Sequence, residues 1–206
     1  MKEYRTQIEA KLTESLRSMH VSLVGANERL VDDYLDILEY RKVRKKQLIA
    51  QPGFARKHET YIVKGAFRAF FIDDAGNERT IQFAIDGMYI NDLESYLSGE
   101  PATLYIEALE DSIIADIPQQ KFEAVCDKYP ALQKLYRITA QRVFANAQKR
   151  MIFNSQKSAE ERYLDFRNNY PEIEVRVPQY ALASYLNMSQ EYLSKIRHKL
   201  AQTEAG

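Results

Sequence analysis

A single cysteine, Cys126, occurs in the 206 residues, which excludes an internal disulfide and any multi-cysteine zinc or iron–sulfur site and fits a reducing compartment. Net charge is also missing: 29 basic residues face 29 acidic ones, so a polyanionic partner would have to be drawn by a local patch. No run of eighteen apolar residues appears, which argues against a membrane-spanning helix. The N-terminus, M-K-E-Y-R-T-Q-I-E-A, lacks the apolar core of a signal peptide, and the expected location is the cytoplasm. Phosphate-loop, metal-ligand and Ser/His/Asp patterns are absent, so the chain is not expected to be an enzyme and no catalytic or metal residue is assigned. The three histidines, His20, His58 and His198, lie far apart; no cofactor is predicted, which leaves room for a small-molecule effector of unknown kind.

What is present divides into textures. Ile8, Leu12 and Leu16, then Leu30, Tyr34 and Ile37, recur at helical spacing and predict packing helices up to about Leu38. From Glu39 to Ile117 the chain turns to short β-branched and aromatic runs, such as Tyr61–Val63, Ala66–Ile72, Thr80–Phe83 and Ser112–Ile117. Turn-formers separate them: Pro52-Gly53, Lys64-Gly65, Asp73 to Asn77, Asp86-Gly87 and Ser98 to Pro101. Short strands at roughly ten-residue intervals indicate an antiparallel barrel or jelly roll. A helical stretch follows from Pro118 to about Asn154, broken only at Tyr129-Pro130. Its long second helix carries Tyr136, Ala140, Val143 and Ala147 at steps of four, three and four. That seam reads either as packing on its own β domain or as a parallel helix pair at a dimer axis. Glu172 to Val177 alternates like a strand.

The stretch from Val177 to Gln202 carries the functional signal. Ala181, Leu182, Tyr185 and Leu186 give one apolar face to a first short helix, Asn187 tolerates the left-handed conformation that ends it, and Ser189 can cap the next. In the second helix Leu193, Ile196 and Leu200 form the buried line, leaving Gln190, Glu191, Ser194, Lys195 and His198 on the opposite side. Two helices joined this tightly form a helix-turn-helix, whose second helix enters a DNA major groove. Gln pairs with adenine, Glu accepts from cytosine and Lys donates to guanine, so the exposed side chains are of base-reading type. Arg197 and Lys199 lie on the flanks and suit phosphates. The same periodicity also occurs in pairs of ordinary solvated surface helices.

A β-roll, a long helix and a C-terminal helix-turn-helix, in that order, resemble the Crp/Fnr family of transcription regulators. The residues that carry the resemblance are Y-I-V-K-G-A-F-R-A-F-F at 61–71, the hairpin Asp74 to Arg79, and E-A-L-E-D-S-I-I-A-D-I-P at 107–118 leading into Lys121-Phe122. The implied fold is α+β: an N-terminal antiparallel β-roll of jelly-roll, cyclic-nucleotide-binding-like type with flanking helices over 1–120, a connecting and dimerisation segment over 121–155, and a DNA-binding domain over 156–206. The implied function is sequence-specific regulation by a homodimer on double-stranded DNA, with RNA polymerase as a candidate partner. By motif position Ser189 is implied at the phosphate-contacting start of the recognition helix and Gln190, Glu191 and Lys195 as base readers.

Two features depart from the family pattern. Where cyclic-nucleotide-binding members carry Gly-Glu and Arg-Ser in the phosphate cassette, this chain has Asn91-Asp92 and Ala102-Thr103. The pocket implied by the resemblance is therefore lined by Asp92, Leu93, Ala102 and Thr103, with Asp92 left to hold a hydroxyl and Thr103 a phosphate oxygen. Loss of the arginine removes a charge-assisted contact on the order of 1.5–3 kcal/mol, and cyclic AMP is not expected to be the ligand. The second departure is a helix-turn-helix lacking a full wing, because Thr203 to Gly206 leaves no length for a second wing strand. The competing reading is a ligand-binding or adaptor module whose helix-turn-helix binds a protein partner.

Overall fold

The computed structural model describes residues 2–18 and 27–204, and each element follows from local chemistry. Helices α1 (Lys2–Ser18) and α2 (Asn27–Asp36) open the chain. Ile8, Leu30 and Tyr34 are buried as their spacing requires, whereas the side chains of Leu12 and Leu16, and all of His20, Ala205 and Gly206, fall outside the described residues. Eight strands come next, in two four-stranded antiparallel sheets. One contains β1 (Glu39–Val43), β3 (His58–Lys64), β6 (Tyr89–Ile90) and β8 (Ser112–Pro118), in the order β1-β8-β3-β6. The other contains β2 (Leu48–Ala50), β4 (Ala66–Ile72), β5 (Glu78–Ile85) and β7 (Tyr105–Ala108), in the order β2-β7-β4-β5. A short helix, α3 (Leu93–Ser98), interrupts the strands between β6 and β7.

The alternation of strand side chains assigns each sheet two faces. Ile62 and Ile114 of the first sheet meet Phe67, Ala69, Ala84, Ile106 and Ala108 of the second in a fully buried interior. The neighbouring positions Tyr61, Val63, Ala115 and Ile117 point outward onto α1 and α2, onto Phe122 and Val125 of α4 (Gln119–Lys128), and onto Leu132 and Leu135 of α5 (Pro130–Gln156). On the far side Ala66, Phe83, Ile85 and Leu109 share a second core with α6 (Ala159–Asn169), α7 (Pro171–Arg176), α8 (Gln179–Tyr185) and α9 (Gln190–Glu204). The turn between β3 and β4 requires glycine: Gly65 has φ +134°, and an added Cβ would lie 2.0 Å from the Ser112 hydroxyl.

One expectation is corrected. Glu172 to Val177 is not a strand but the helix α7 with Val177 just beyond it. Pro171 occupies its first turn, where its missing N–H costs nothing, and Ile173 and Val177, four apart, are buried on one side while Val175 is 76% exposed. The apparent alternation was a helical step of four read at every second residue. Among the described residues no strand follows β8, and no helix is long and apolar enough to cross a membrane.

Candidate nucleic-acid interface

Helix α8 is anchored before it reaches the turn. Ala181, Leu182 and Ala183 are buried, and the Ser184 hydroxyl donates to the Glu78 carbonyl (2.7 Å) while accepting the Thr80 N–H (2.9 Å), which ties α8 to β5. Asn187 then adopts φ +53°, the left-handed conformation, and the Asn187 and Met188 N–H groups close back on the carbonyls of Ser184 and Ala183. Ser189 starts the next helix by accepting the Tyr192 N–H at 3.1 Å. The same helix start, together with the Ser189 hydroxyl, holds the Glu191 carboxyl below its ordinary range, so it is ionised at neutral pH.

In α9, Leu193 and Ile196 are buried and Leu200 is half-buried, which turns Gln190, Glu191, Ser194, Lys195 and His198 to solvent. The structure therefore brings the predicted reading residues onto one open face. It also adds Tyr192, 49% exposed, three residues before Lys195 on the same flank. That residue was missed because aromatic residues at helical spacing are read as core by default; its offset from the Leu193-Ile196-Leu200 line was the available signal. The two flanking cations are engaged within the chain: Arg197 pairs with Glu174 at 3.2 Å, and Lys199 with Glu160 at 2.9 Å. Glu174 also accepts the Tyr163 hydroxyl (3.0 Å), so Arg197 helps to hold α9 against α6 and α7.

A buried arginine completes the docking of these helices on the roll. Arg68 of β4 pairs with Glu107 (2.7 Å) and Glu78 (2.6 Å), and its guanidinium lies 4.1 Å from the centre of the Phe70 ring and 4.9 Å from that of Tyr180 in α8. Phe83 of β5 meets Tyr185 and Phe166 with ring centres 5.2 and 6.3 Å apart.

The cassette region is organised differently. Asp92 and Thr103 come together, but the Asp92 carboxylate is buried and accepts the N–H groups of Ser95 (3.2 Å), Thr103 (2.7 Å) and Leu104 (2.9 Å). It caps α3 and pins the following loop. Asn91 likewise accepts the Thr60 N–H at 2.9 Å. Ala102 is buried, whereas Leu93 and Thr103 are exposed. Deeper in the roll Arg56, itself buried, donates to the Ile49 carbonyl and to the Thr60 hydroxyl, which donates in turn to Asp116 (2.6 Å). His58, 3.5 Å from Asp116, is pushed below its ordinary pKa by burial and by Arg56, and is neutral at pH 7. Burial raises the Cys126 thiol to about 11, which leaves it protonated and unreactive.

Along α5 the predicted seam splits. Tyr136 faces its own roll, with its hydroxyl on Glu59 and its ring 5.2 Å from Phe122. Ala140, Val143 and Ala147 are exposed, and Phe144 (63% exposed) and Met151 (62%) widen them into one apolar stripe. Neither residue belongs to the Tyr136-Ala140-Val143-Ala147 line read from the sequence, although Phe144 follows Ala140 and Met151 follows Ala147 by the same step of four.

Comparison with known proteins places these observations. Residues 40–129 match the cyclic nucleotide-binding domain family. The fumarate and nitrate reduction regulatory protein of Vibrio cholerae is 23% identical over 193 residues, covering 86% of this chain and 75% of that protein. Solved structures share the fold, FixK2 and a catabolite activator protein among them. FixK2 from Bradyrhizobium japonicum has a TM-score of 0.70 at 19% identity over 82% of this chain and 86% of its own. The catabolite activator protein of Thermus thermophilus has a TM-score of 0.56 at 19% identity over 88% and 87%. Residues 40–129 thus carry the match to the cyclic nucleotide-binding domain family, and over most of its length the chain is similar in fold to regulators of the Crp/Fnr kind.

Proposed function

We propose that this regulator reads specific DNA sequences as a homodimer, through α9, and that cyclic AMP does not control it. The observation that carries the reading is the exposed polar face of α9, Gln190, Glu191, Ser194 and Lys195, set by the Ser189 cap over the buried Leu193 and Ile196. The exposed stripe Ala140, Val143, Phe144, Ala147 and Met151 supports pairing of two copies along α5. A two-fold axis there would present two recognition helices to a pseudo-palindrome with half-sites about one helical turn apart. Independence from cyclic AMP is supported by Asp92, whose oxygens are taken up by backbone N–H groups, and by the lack of an arginine at Ala102-Thr103. In this reading residues 1–120 form the roll with its helices, 121–155 the dimerisation segment and 156–206 the DNA-binding unit. The compartment is the cytoplasm, RNA polymerase is a candidate partner, and no catalytic step is assigned.

The test is the double variant Glu191→Ala, Lys195→Ala. Thermal melting should match the parent while specific retention falls by about 2–6 kcal/mol, the sum of two base-reading contacts. Protection of the same operator by the double variant would show the face to be wrongly assigned. The adaptor reading draws on the internal pairing of Arg197 and Lys199 and on zero net charge. Selection from random duplex DNA separates the two, since an adaptor enriches no motif.

A further inference from the structure

The chain passes from α5 to α6 through two extended residues, Lys157 and Ser158, with ψ of 143° and 162°. Rotation about so short a connection would swing the whole C-terminal unit relative to α5. The second core fixes that unit to the roll. A half-buried side chain one turn into α6, Arg162, ties it to the end of α5.

Arg162 donates from Nε to the Leu186 carbonyl (3.0 Å), from one terminal nitrogen to the Lys157 carbonyl (2.7 Å) and from the other to the Asn187 carbonyl (3.4 Å). Lys157 is the residue that ends α5, and Leu186 the one that ends α8. The last carbonyls of a helix have no partner within it and lie at the negative end of its dipole, so one cation facing two such ends is favoured by both. Three acceptors on two separate helix ends need the planar fork of a guanidinium; an ammonium is a point charge. The capping box of Ser158 and Glu161 fixes the start of α6, and with it the root of Arg162. Lys157 is itself engaged by Asp165 of α6, and Arg150 of α5 lies 4.9 Å from the centre of the Tyr185 ring, a second link between α5 and α8.

We propose that Arg162 is a positioning residue for DNA recognition: by joining the C-terminal ends of α5 and α8 it fixes the angle of α9 to the dimer axis, and thereby the half-site spacing that the dimer accepts. This role rests on the homodimeric DNA reading above. In a dimer paired along α5, the separation of the two recognition helices is set by how each C-terminal unit sits on the end of its own α5. A tilt of the unit in one copy is repeated in the other across the two-fold axis, so small errors in angle add. Asn187 holds the left-handed position from which α9 starts, and the guanidinium therefore acts at the base of the reading helix.

The experiment compares the full-length parent with Arg162→Met and Arg162→Lys. The lysine variant keeps the charge and loses the fork, and it carries the test if the methionine variant folds poorly. Without DNA, spin labels are placed at two exposed positions, Gln148→Cys on α5 and Gln202→Cys on α9, and the labelled chain is diluted with unlabelled chain so that only the intrachain distance is read; the native Cys126 is buried. One narrow distance is expected in the parent and a broadened or displaced one in both variants. With DNA, an operator selected from random duplexes is compared with the same operator lengthened by one central base pair, which separates the half-sites by about 3.4 Å more and turns them by about 35°. The parent should prefer the selected spacing, and both variants should reduce that preference roughly tenfold, the effect of losing one charge-assisted contact. Loss of folded protein alone would lower retention of both operators equally and leave their ratio unchanged. An unchanged ratio, or parent-like distances in both variants, overturns the proposal. Full restoration by lysine also overturns it, since charge without the fork would then suffice. If the parent enriches no motif, the DNA reading fails, and the label distances decide separately whether Arg162 sets α9 on α5.

Discussion

The cassette end of the roll and the reading face of α9 both concentrate polar side chains, and they use them in opposite ways. At the cassette, Asp92, Asn91, Arg56 and Thr60 are turned inward and take up the hydrogen-bonding capacity of buried backbone and of one another. On α9, Gln190, Glu191, Ser194 and Lys195 are held outward by a buried apolar line beneath them. Polar residues consumed by their own fold stabilise it and have little left for a ligand; those kept exposed contribute little to stability and stay available. The contrast explains how a chain can retain a nucleotide-binding fold while the residues at its cassette hold the fold together.

Asp92→Ala is the strongest way to break this comparison. Removing a buried carboxylate that accepts three backbone N–H groups should lower unfolding free energy by about 3 kcal/mol, read from the denaturant midpoint. Unchanged stability would mean that Asp92 is free for a ligand after all. Phe144→Glu places a charge in the apolar stripe of α5 and should weaken self-association by about 2 kcal/mol or more, measured by sedimentation. A variant that associates as the parent does would move the pairing face elsewhere. Ser189→Ala removes the cap of α9 and should cost about 1 kcal/mol of stability, with a parallel loss of DNA affinity if the cap also contacts phosphate.

The smallest effect concerns Glu59, which sharpens the link between roll and helix. Burial raises its pKa despite the hydrogen bond from Tyr136. A carboxyl with a raised folded pKa binds its proton more tightly in the native state. Its ionisation therefore erodes stability as pH rises from the unfolded value, about 4.3, through the folded one. Glu59→Gln should remove that erosion, raising the melting temperature at pH 7.5 by more than at pH 4. An equal gain at both values would place the cause in packing rather than charge.

Local chemistry made much of the reading unit legible: Asn187 and Ser189 act within two or three residues of themselves, and the structure places both in those roles. The strands with strong β-branched runs were legible for the same reason. Asp92 was not, because two of its three backbone partners are eleven and twelve residues away and only the completed roll brings them to it. The direction of Tyr136 depended likewise on Glu59, 77 positions earlier. Glu172 to Val177 misled because a run of alternating β-branched residues satisfies two periods at once, and Pro171 was the one local sign favouring the helix.

The second core has a consequence for the portability of the reading unit. Phe83, Ile85 and Leu109 belong to the roll, yet they complete the packing of Phe166, Leu182 and Leu193. Excised at residue 156, the C-terminal segment would lose the wall against which its helices close, and the remainder would present the same wall to water. Transplanting this helix-turn-helix onto another sensor would therefore mean carrying β4, β5 and the Leu109 loop along with it, so the transferable unit is larger than the segment proposed to touch DNA.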